Sequence, residues 1–121
     1  EVEKDEIFVR DGNDVICEVP ISFAQAALGD TVRVPTLTSE AEVRVPAGTQ
    51  PGAMFRLRGM GIPDLRGYHK GDQLVRIQIE VPSKLSREQR ELIEKLKDLN
   101  DTQAYPLHRR FMETWKKWMG T

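Results

Sequence analysis

The sequence predicts a mainly β fold with one short internal helix, followed by C-terminal amphipathic helices. Three observations lead there. Residues 1–82 hold short β-like runs punctuated by Gly and Pro. Residues 83–121 contain no glycine before Gly120 and carry helical periodicity. The charge divides along a similar line, because Arg109, Arg110, Lys116 and Lys117 against Glu113 give the last fifteen residues +3, while the chain as a whole carries −1. The chain thus divides into two segments: 1–82, the β domain, and 83–121, a helical segment with a basic aromatic tail.

The strands are expected at Ile7–Arg10, Asp14–Ile21, Thr31–Pro35, Glu42–Pro46, Met54–Arg58 and Gln73–Pro82. The last is the best defined. Val75, Ile77, Ile79 and Val81 fall on one face and Arg76, Gln78 and Glu80 on the other, the alternation of a half-buried strand. Val43 and Val45 alternate with Glu42 and Arg44, and Val32 and Val34 flank Arg33. Asp11-Gly12-Asn13-Asp14, Gly29-Asp30 and Thr38-Ser39-Glu40 supply turn chemistry, and Ala47–Gly52 reads as a fixed loop between strands.

Ser22 followed three residues later by Gln25 predicts a capping box for the internal helix. Gly29 is expected to end it in a left-handed conformation. Ser86 with Gln89 repeats the box, and Leu92, Ile93, Leu96 and Leu99 then recur at helical spacing. Pro106 breaks the pattern. Beyond it, Leu107, Phe111, Met112, Trp115, Trp118 and Met119 form a second apolar stripe, and a tail this aromatic is expected to dock on something.

Composition narrows the function. The chain has 121 residues, 39% of them hydrophobic and 31% charged, which is enough for a core and too apolar for a disordered chain. Balanced charge argues against nucleic acid and against a membrane as a partner for the whole chain. No apolar run approaches the roughly 18 residues of a membrane span. One cysteine, Cys17, excludes an internal disulfide framework and a cysteine-based zinc site. Two histidines leave little for any other metal, so no cofactor is expected. A reducing, cytoplasmic compartment is the default expectation, and the absence of an initiator Met suggests a fragment.

No enzyme site emerges. Gly59-Met60-Gly61 has two glycines of a phosphate cradle, but Pro63-Asp64-Leu65-Arg66-Gly67 stands where a helix should open, so turn geometry explains it better. Cys17 has no base near it in sequence and reads as a structural thiol. His69 in its loop and His108 at the start of the basic helix read as solvated side chains. Asp64 and Asp72 share a loop region, but nothing in the sequence places them in one pocket.

Several stretches, in order and spacing, carry a resemblance. They are Ile7-Phe8-Val9-Arg10-Asp11-Gly12-Asn13-Asp14-Val15, Pro20 to Gly29, Val45 to Gly52, Phe55 to Pro63, Gly71-Asp72-Gln73 and Val81-Pro82. Together they resemble the second C-terminal β-domain of DnaJ-type J-domain co-chaperones, from about Lys4 to about Leu99. The resemblance implies a compact β-sandwich followed by a helix that dimerises the protein. It implies a clamp that binds unfolded polypeptide clients and delivers them to a seventy-kilodalton heat-shock ATPase. The His-Pro-Asp tripeptide, the repeated Cys-x-x-Cys-x-Gly-x-Gly region and the first C-terminal β-domain of that family are absent from this sequence. Contact with the ATPase would therefore use parts not present here.

The residues then divide into two candidate surfaces. Leu92, Ile93, Leu96 and Leu99 are expected to form a homodimer seam, with Phe111, Trp115 and Trp118 extending it onto the partner. Phe8, Ile16, Val32 and Val34 are apolar strand positions that would line a client groove if they do not fill the core. The alternative is an adaptor module, in which the basic aromatic tail binds a membrane or a partner helix.

Overall fold

The computed structural model describes residues 2–4, 7–99 and 103–120. It forms two compact units, 1–82 and 83–121. The first contains seven strands and one helix among the described residues: β1 (Val2–Lys4), β2 (Phe8–Asp11), β3 (Asp14–Ser22), α1 (Phe23–Leu28), β4 (Asp30–Pro35), β5 (Glu40–Val45), β6 (Met54–Leu57) and β7 (Gln73–Glu80). All six expected strands are present within a few residues, and β1 is an addition. Its three residues pair antiparallel with β2, Lys4 opposite Val9.

The strands make a five-stranded sheet in the order β1-β2-β3-β7-β6 and a two-stranded sheet of β4 and β5. The β3–β7 pair is parallel, running from Val15 opposite Gln73 to Ser22 opposite Glu80. Parallel neighbours need a long crossover; here it consists of α1, β4, β5, β6 and the loop between β6 and β7. Alternation along each strand assigns the inner face. Val15, Cys17 and Ile21 of β3 and Gln73, Val75 and Ile77 of β7 point inward and are buried.

The core joins the two sheets. Ile21, Val75 and Ile77 meet Val34, Val43 and Val45 of the small sheet and Ala26 of α1. Val19, Val32, Ala41, Ala53, Phe55, Leu57 and Ile79 pack around them. Each fully buried Val or Ile contributes about 1.5–3 kcal/mol before entropy is charged. The Gln73 amide is buried in the same layer, and its Nε2 donates to the Pro35 carbonyl at 2.8 Å, tying β7 to the end of β4.

The helix ends obey their chemistry. In α1 the Ser22 hydroxyl accepts from Gln25 N–H, and the Gln25 side chain accepts from Ser22 N–H. The expectation for Gly29 is corrected in part: φ is positive at +83°, but ψ is 148°, so the residue lies outside the left-handed helical region. Glycine is required there for space as well, because a Cβ would stand 2.8 Å from the Ala47 nitrogen.

In the second unit α2 (Arg87–Asp98) opens with the Ser86–Gln89 capping box, and α3 (Pro106–Trp118) opens with Pro106 in its first turn. Proline suits that position because the N–H it lacks would have had no helical partner.

Candidate functional site

Three surfaces of the chain offer chemistry, and the strand register defines the first. Residues directly opposite in neighbouring strands share a face of a sheet. Val9 lies opposite Ile16, and Ile16 opposite Leu74. Leu74 in turn lies opposite Arg56. The outer face of the large sheet therefore carries one apolar row, Val9–Ile16–Leu74, each residue half-buried. Beside it lie Glu18 and Arg76, paired at 3.8 Å, and the partly exposed Met54. The sheet ends in β1 on one side and β6 on the other, so among the described residues each has one edge without a strand neighbour.

This row revises the client-groove expectation residue by residue. Ile16 is on the outer face, as a groove requires. Val34 is 2% exposed and belongs to the core, and Val32 packs against that core. Both are drawn inward by the small sheet, whose inner positions alternate with the charged Arg33, Glu40, Glu42 and Arg44. Phe8 is half-buried opposite Cys17, on the inner side of the large sheet. Sequence reasoning missed Val9 and Leu74. Neither stands out locally; they become neighbours of Ile16 only through the β2–β3 and β3–β7 pairings.

The loop from Arg58 to Asp72 is fixed by backbone hydrogen bonds. It folds back on itself, with Gly61 N–H donating to the Gly71 carbonyl and Gly71 N–H to the Ile62 carbonyl, both at 2.9 Å. Ile62 N–H donates to the Asn13 carbonyl at 2.8 Å, which fastens the loop to the β2–β3 turn. The contact is backbone on backbone. A Cβ at Gly71 would lie 1.9 Å from the Asn13 oxygen, and one at Gly61 would lie 2.5 Å from it. In Gly59-Met60-Gly61 the second glycine thus permits a close approach, and the first, at φ +72°, makes a turn. The chain beyond it makes a small hairpin closed by Pro63 and Lys70, not a helix N-terminus.

Asp72 locks the base of this loop. Its carboxylate accepts from Gly59 N–H at 2.9 Å and from the Arg56 guanidinium, and its own N–H donates to Asp14 Oδ1 at 2.7 Å. The Gly59 N–H, then Arg56, hold the Asp72 carboxyl below the ordinary aspartate value of 3.8. Asp64 is occupied otherwise, accepting from Tyr68 N–H. The two carboxylates thus serve separate backbone turns. His69 is exposed at the hairpin, and Cys17 is buried. Among the described residues no group of three or more His, Cys, Asp or Glu is placed to hold a metal ion.

The second surface is the stripe on α2. Leu92, Ile93, Leu96 and Leu99 are all exposed, from 40% at Leu96 to 67% at Leu99, on a helix with no buried residue. The third is α3, where Leu107, Phe111, Trp115, Trp118 and Met119 are exposed as well. The Phe111 and Trp115 rings, one turn apart, sit 6.3 Å centre to centre. The two stripes lie where the sequence places them, and both stand uncovered in the isolated chain.

Comparison with known proteins agrees with this architecture. Residues 1–82, the whole β unit, match the DnaJ C terminal domain family. Among curated relatives, the chaperone protein DnaJ of Geobacillus kaustophilus (strain HTA426) is 50% identical over 117 residues, covering 96% of this chain and 31% of the relative. The chaperone protein DnaJ of Opitutus terrae (strain DSM 11246 / JCM 15787 / PB90-1) is 47% identical over 116 residues, 96% of this chain and 30% of the relative. That of Syntrophotalea carbinolica (strain DSM 2380 / NBRC 103641 / GraBd1) is 44% identical over 119 residues, 98% of this chain and 32% of the relative. The chain spans about a third of the length of these relatives, and the match continues through most of the helical segment. With the seven-stranded unit matched from end to end, the chain belongs to the DnaJ C-terminal domain family.

Proposed function

We propose that this chain is the client-holding and dimerising portion of a DnaJ-type co-chaperone. It binds unfolded polypeptide and pairs with a second copy to form a clamp. Within a longer protein it presents the client to a seventy-kilodalton heat-shock ATPase, in the cytoplasm. The observation that carries the reading is the family match over 1–82, joined to relatives that are named chaperones. Such a role needs no catalytic residue and no cofactor. It needs apolar surface and sheet edges to which an extended segment adds. The Val9–Ile16–Leu74 row and the outer edges of β1 and β6 supply both.

Dimerisation is assigned first to α2. Its four exposed aliphatic side chains sit among four bases and four acids, so two copies meet across a two-fold axis without net charge between them. Phe111, Trp115 and Trp118 of α3 are exposed on the arc opposite Arg109, Arg110, Lys116 and Lys117, and they extend the seam onto the partner.

The test is aggregation suppression by the intact chain, using a chemically unfolded model protein as client. The wild-type chain is expected to delay aggregation, and Ile16→Asp together with Leu74→Asp to abolish the delay while the far-ultraviolet spectrum stays unchanged. A variant that holds the client as well as wild type would move the client site off this face.

A further inference from the structure

The small hairpin at 63–70 holds apolar side chains where no core reaches them. Leu65 is fully exposed and Tyr68 is 80% exposed. Yet the turn that carries them is fixed from within. Asp64 N–H donates to the His69 carbonyl at 2.8 Å and Gly67 N–H to the Asp64 carbonyl at 3.1 Å, while the Asp64 carboxylate accepts from Tyr68 N–H at 3.1 Å. Gly67, at φ +75°, takes a backbone conformation that other residues rarely adopt. The loop below is fastened to Asn13. A pre-formed turn loses little freedom on binding, and Tyr and Arg are the side chains that most often anchor an interface.

The charge around the tip defines what fits it. Residues 1–53 carry ten acids and four bases, whereas residues 56–72 carry four bases and two acids. Both of those acids are engaged within the loop, Asp64 by Tyr68 N–H and Asp72 by Arg56 and Gly59 N–H. Arg66 and Lys70 are exposed beside Leu65 and Tyr68 and have no ion pair among the described residues. Beneath them, the β2–β3 turn that holds the loop carries Asp11 and Asp14. A cationic, apolar tip therefore stands on an acidic base. A broad anionic surface, such as a bilayer or a nucleic acid, would meet that base and be repelled. A short acidic segment meets the tip alone. A second copy joined tip to tip would set Arg66 and Lys70 against their own counterparts, inside the same turn as the apolar side chains.

We propose that the hairpin at 63–70 is a docking site for a short acidic segment of a partner protein. Arg66 and Lys70 meet its carboxylates, and Leu65 and Tyr68 pack against an apolar side chain between them. The assignment rests on this loop and goes beyond the client-holding and dimer readings, neither of which it needs.

The test uses the full chain and a fluorescein-labelled peptide of repeated Glu-Glu-Leu-Gly units, read by fluorescence anisotropy. The peptide is expected to bind, more weakly as salt rises. The same peptide with Lys in place of Glu should not bind, and one with Ser in place of Leu should bind less well. The double variants Arg66→Glu/Lys70→Glu and Leu65→Ser/Tyr68→Ser should each weaken binding by about tenfold or more. These positions are exposed, so circular dichroism should stay that of the wild type. Amide shifts on titration should concentrate at 63–70. The uncharged pair Ile16→Ser/Leu74→Ser separates this site from the client face and should leave binding unchanged. If that pair abolishes binding while the tip variants keep it, the peptide is held as a client and the proposal is overturned. Equal binding of the Lys peptide overturns it too, as does displacement of the acidic peptide from the tip by single-stranded DNA or anionic vesicles at equal charge. Self-association that Arg66→Glu/Lys70→Glu removes in the absence of peptide would give the tip to a second copy and overturn it as well.

Discussion

At the scale of single residues, Gly71 and Asp72 show how much of this β unit depends on atoms that cannot move. The space beyond Gly71 Cα is filled by the Asn13 carbonyl at 1.9 Å from where a Cβ would stand. Both sides of that contact are backbone, so the clash is relieved only by lifting the loop from the β2–β3 turn. Gly71→Ala is therefore expected to destabilise the fold by about 2–4 kcal/mol, read from urea unfolding. A change within about 0.5 kcal/mol of zero, the ordinary scatter of surface substitutions, would mean that the loop is not held there. Asp72 gives a pH signature. Its folded pKa lies below the ordinary 3.8, so the folded state binds the proton less readily than the unfolded chain. Its contribution is complete above that ordinary value and fades as pH falls through the lower folded one. Titration of the Asp72 carboxyl by nuclear magnetic resonance should give a midpoint below 3.8, and Asp72→Asn should remove its part of the acid limb of the stability profile. Because the carboxylate is partly exposed and its Arg56 partner more so, the effect is expected to be small and to weaken in salt.

Secondary-structure elements show where local pattern suffices and where it does not. The Ser86–Gln89 pair caps α2 as the spacing demands, with Gln89 N–H donating to the Ser86 hydroxyl at 3.1 Å and Ser86 N–H to the Gln89 side chain at 2.8 Å. Ser86→Ala should cost α2 about 0.5–2 kcal/mol. Faster amide hydrogen exchange over Arg87–Glu91, with β7 unchanged, is the expected readout. Unchanged protection would show that the cap is not what holds the first turn. This box, the alternation from Val75 to Ile79 and the stripe of α2 were all legible, because each is written within a dozen consecutive residues. The sheet order was not. Asp14 meets Asp72 across 58 positions, and no period in either segment announces that β3 and β7 run parallel. The β2–β3 and β3–β7 pairings assemble Val9, Ile16 and Leu74 on one face, while the alternation of the small sheet takes Val34 into the core. The glycines of the loop read as turn geometry, and long-range packing adds a second reason for two of them. Gly61 and Gly71 are set against the Asn13 backbone, which lies in a distant part of the sequence.

For the whole molecule, the question is what the uncovered apolar residues of 83–121 are for, and α2 provides the sharpest test. Leu96 is 40% exposed at the middle of its stripe and is absent from the β core. A two-fold seam buries it twice, worth about 1.5–3 kcal/mol each time. Leu96→Asp loses that burial and adds two carboxylates that would have to be desolvated. The dimer constant should then rise by about 100-fold or more, read by sedimentation equilibrium. The β unit is compact by itself, so its circular dichroism and its unfolding midpoint should be those of wild type. A chain ending at Pro82 should behave as a folded monomer for the same reason. Joint loss of β structure and of association in Leu96→Asp would make Leu96 a residue of the chain's own fold. A wild-type chain that sediments as a monomer, like the version ending at Pro82, would remove the dimer from the proposal. Holding a client would then rest on the Val9–Ile16–Leu74 row and the edges of a single β unit, and grip by two copies would have to come from elsewhere in a longer protein.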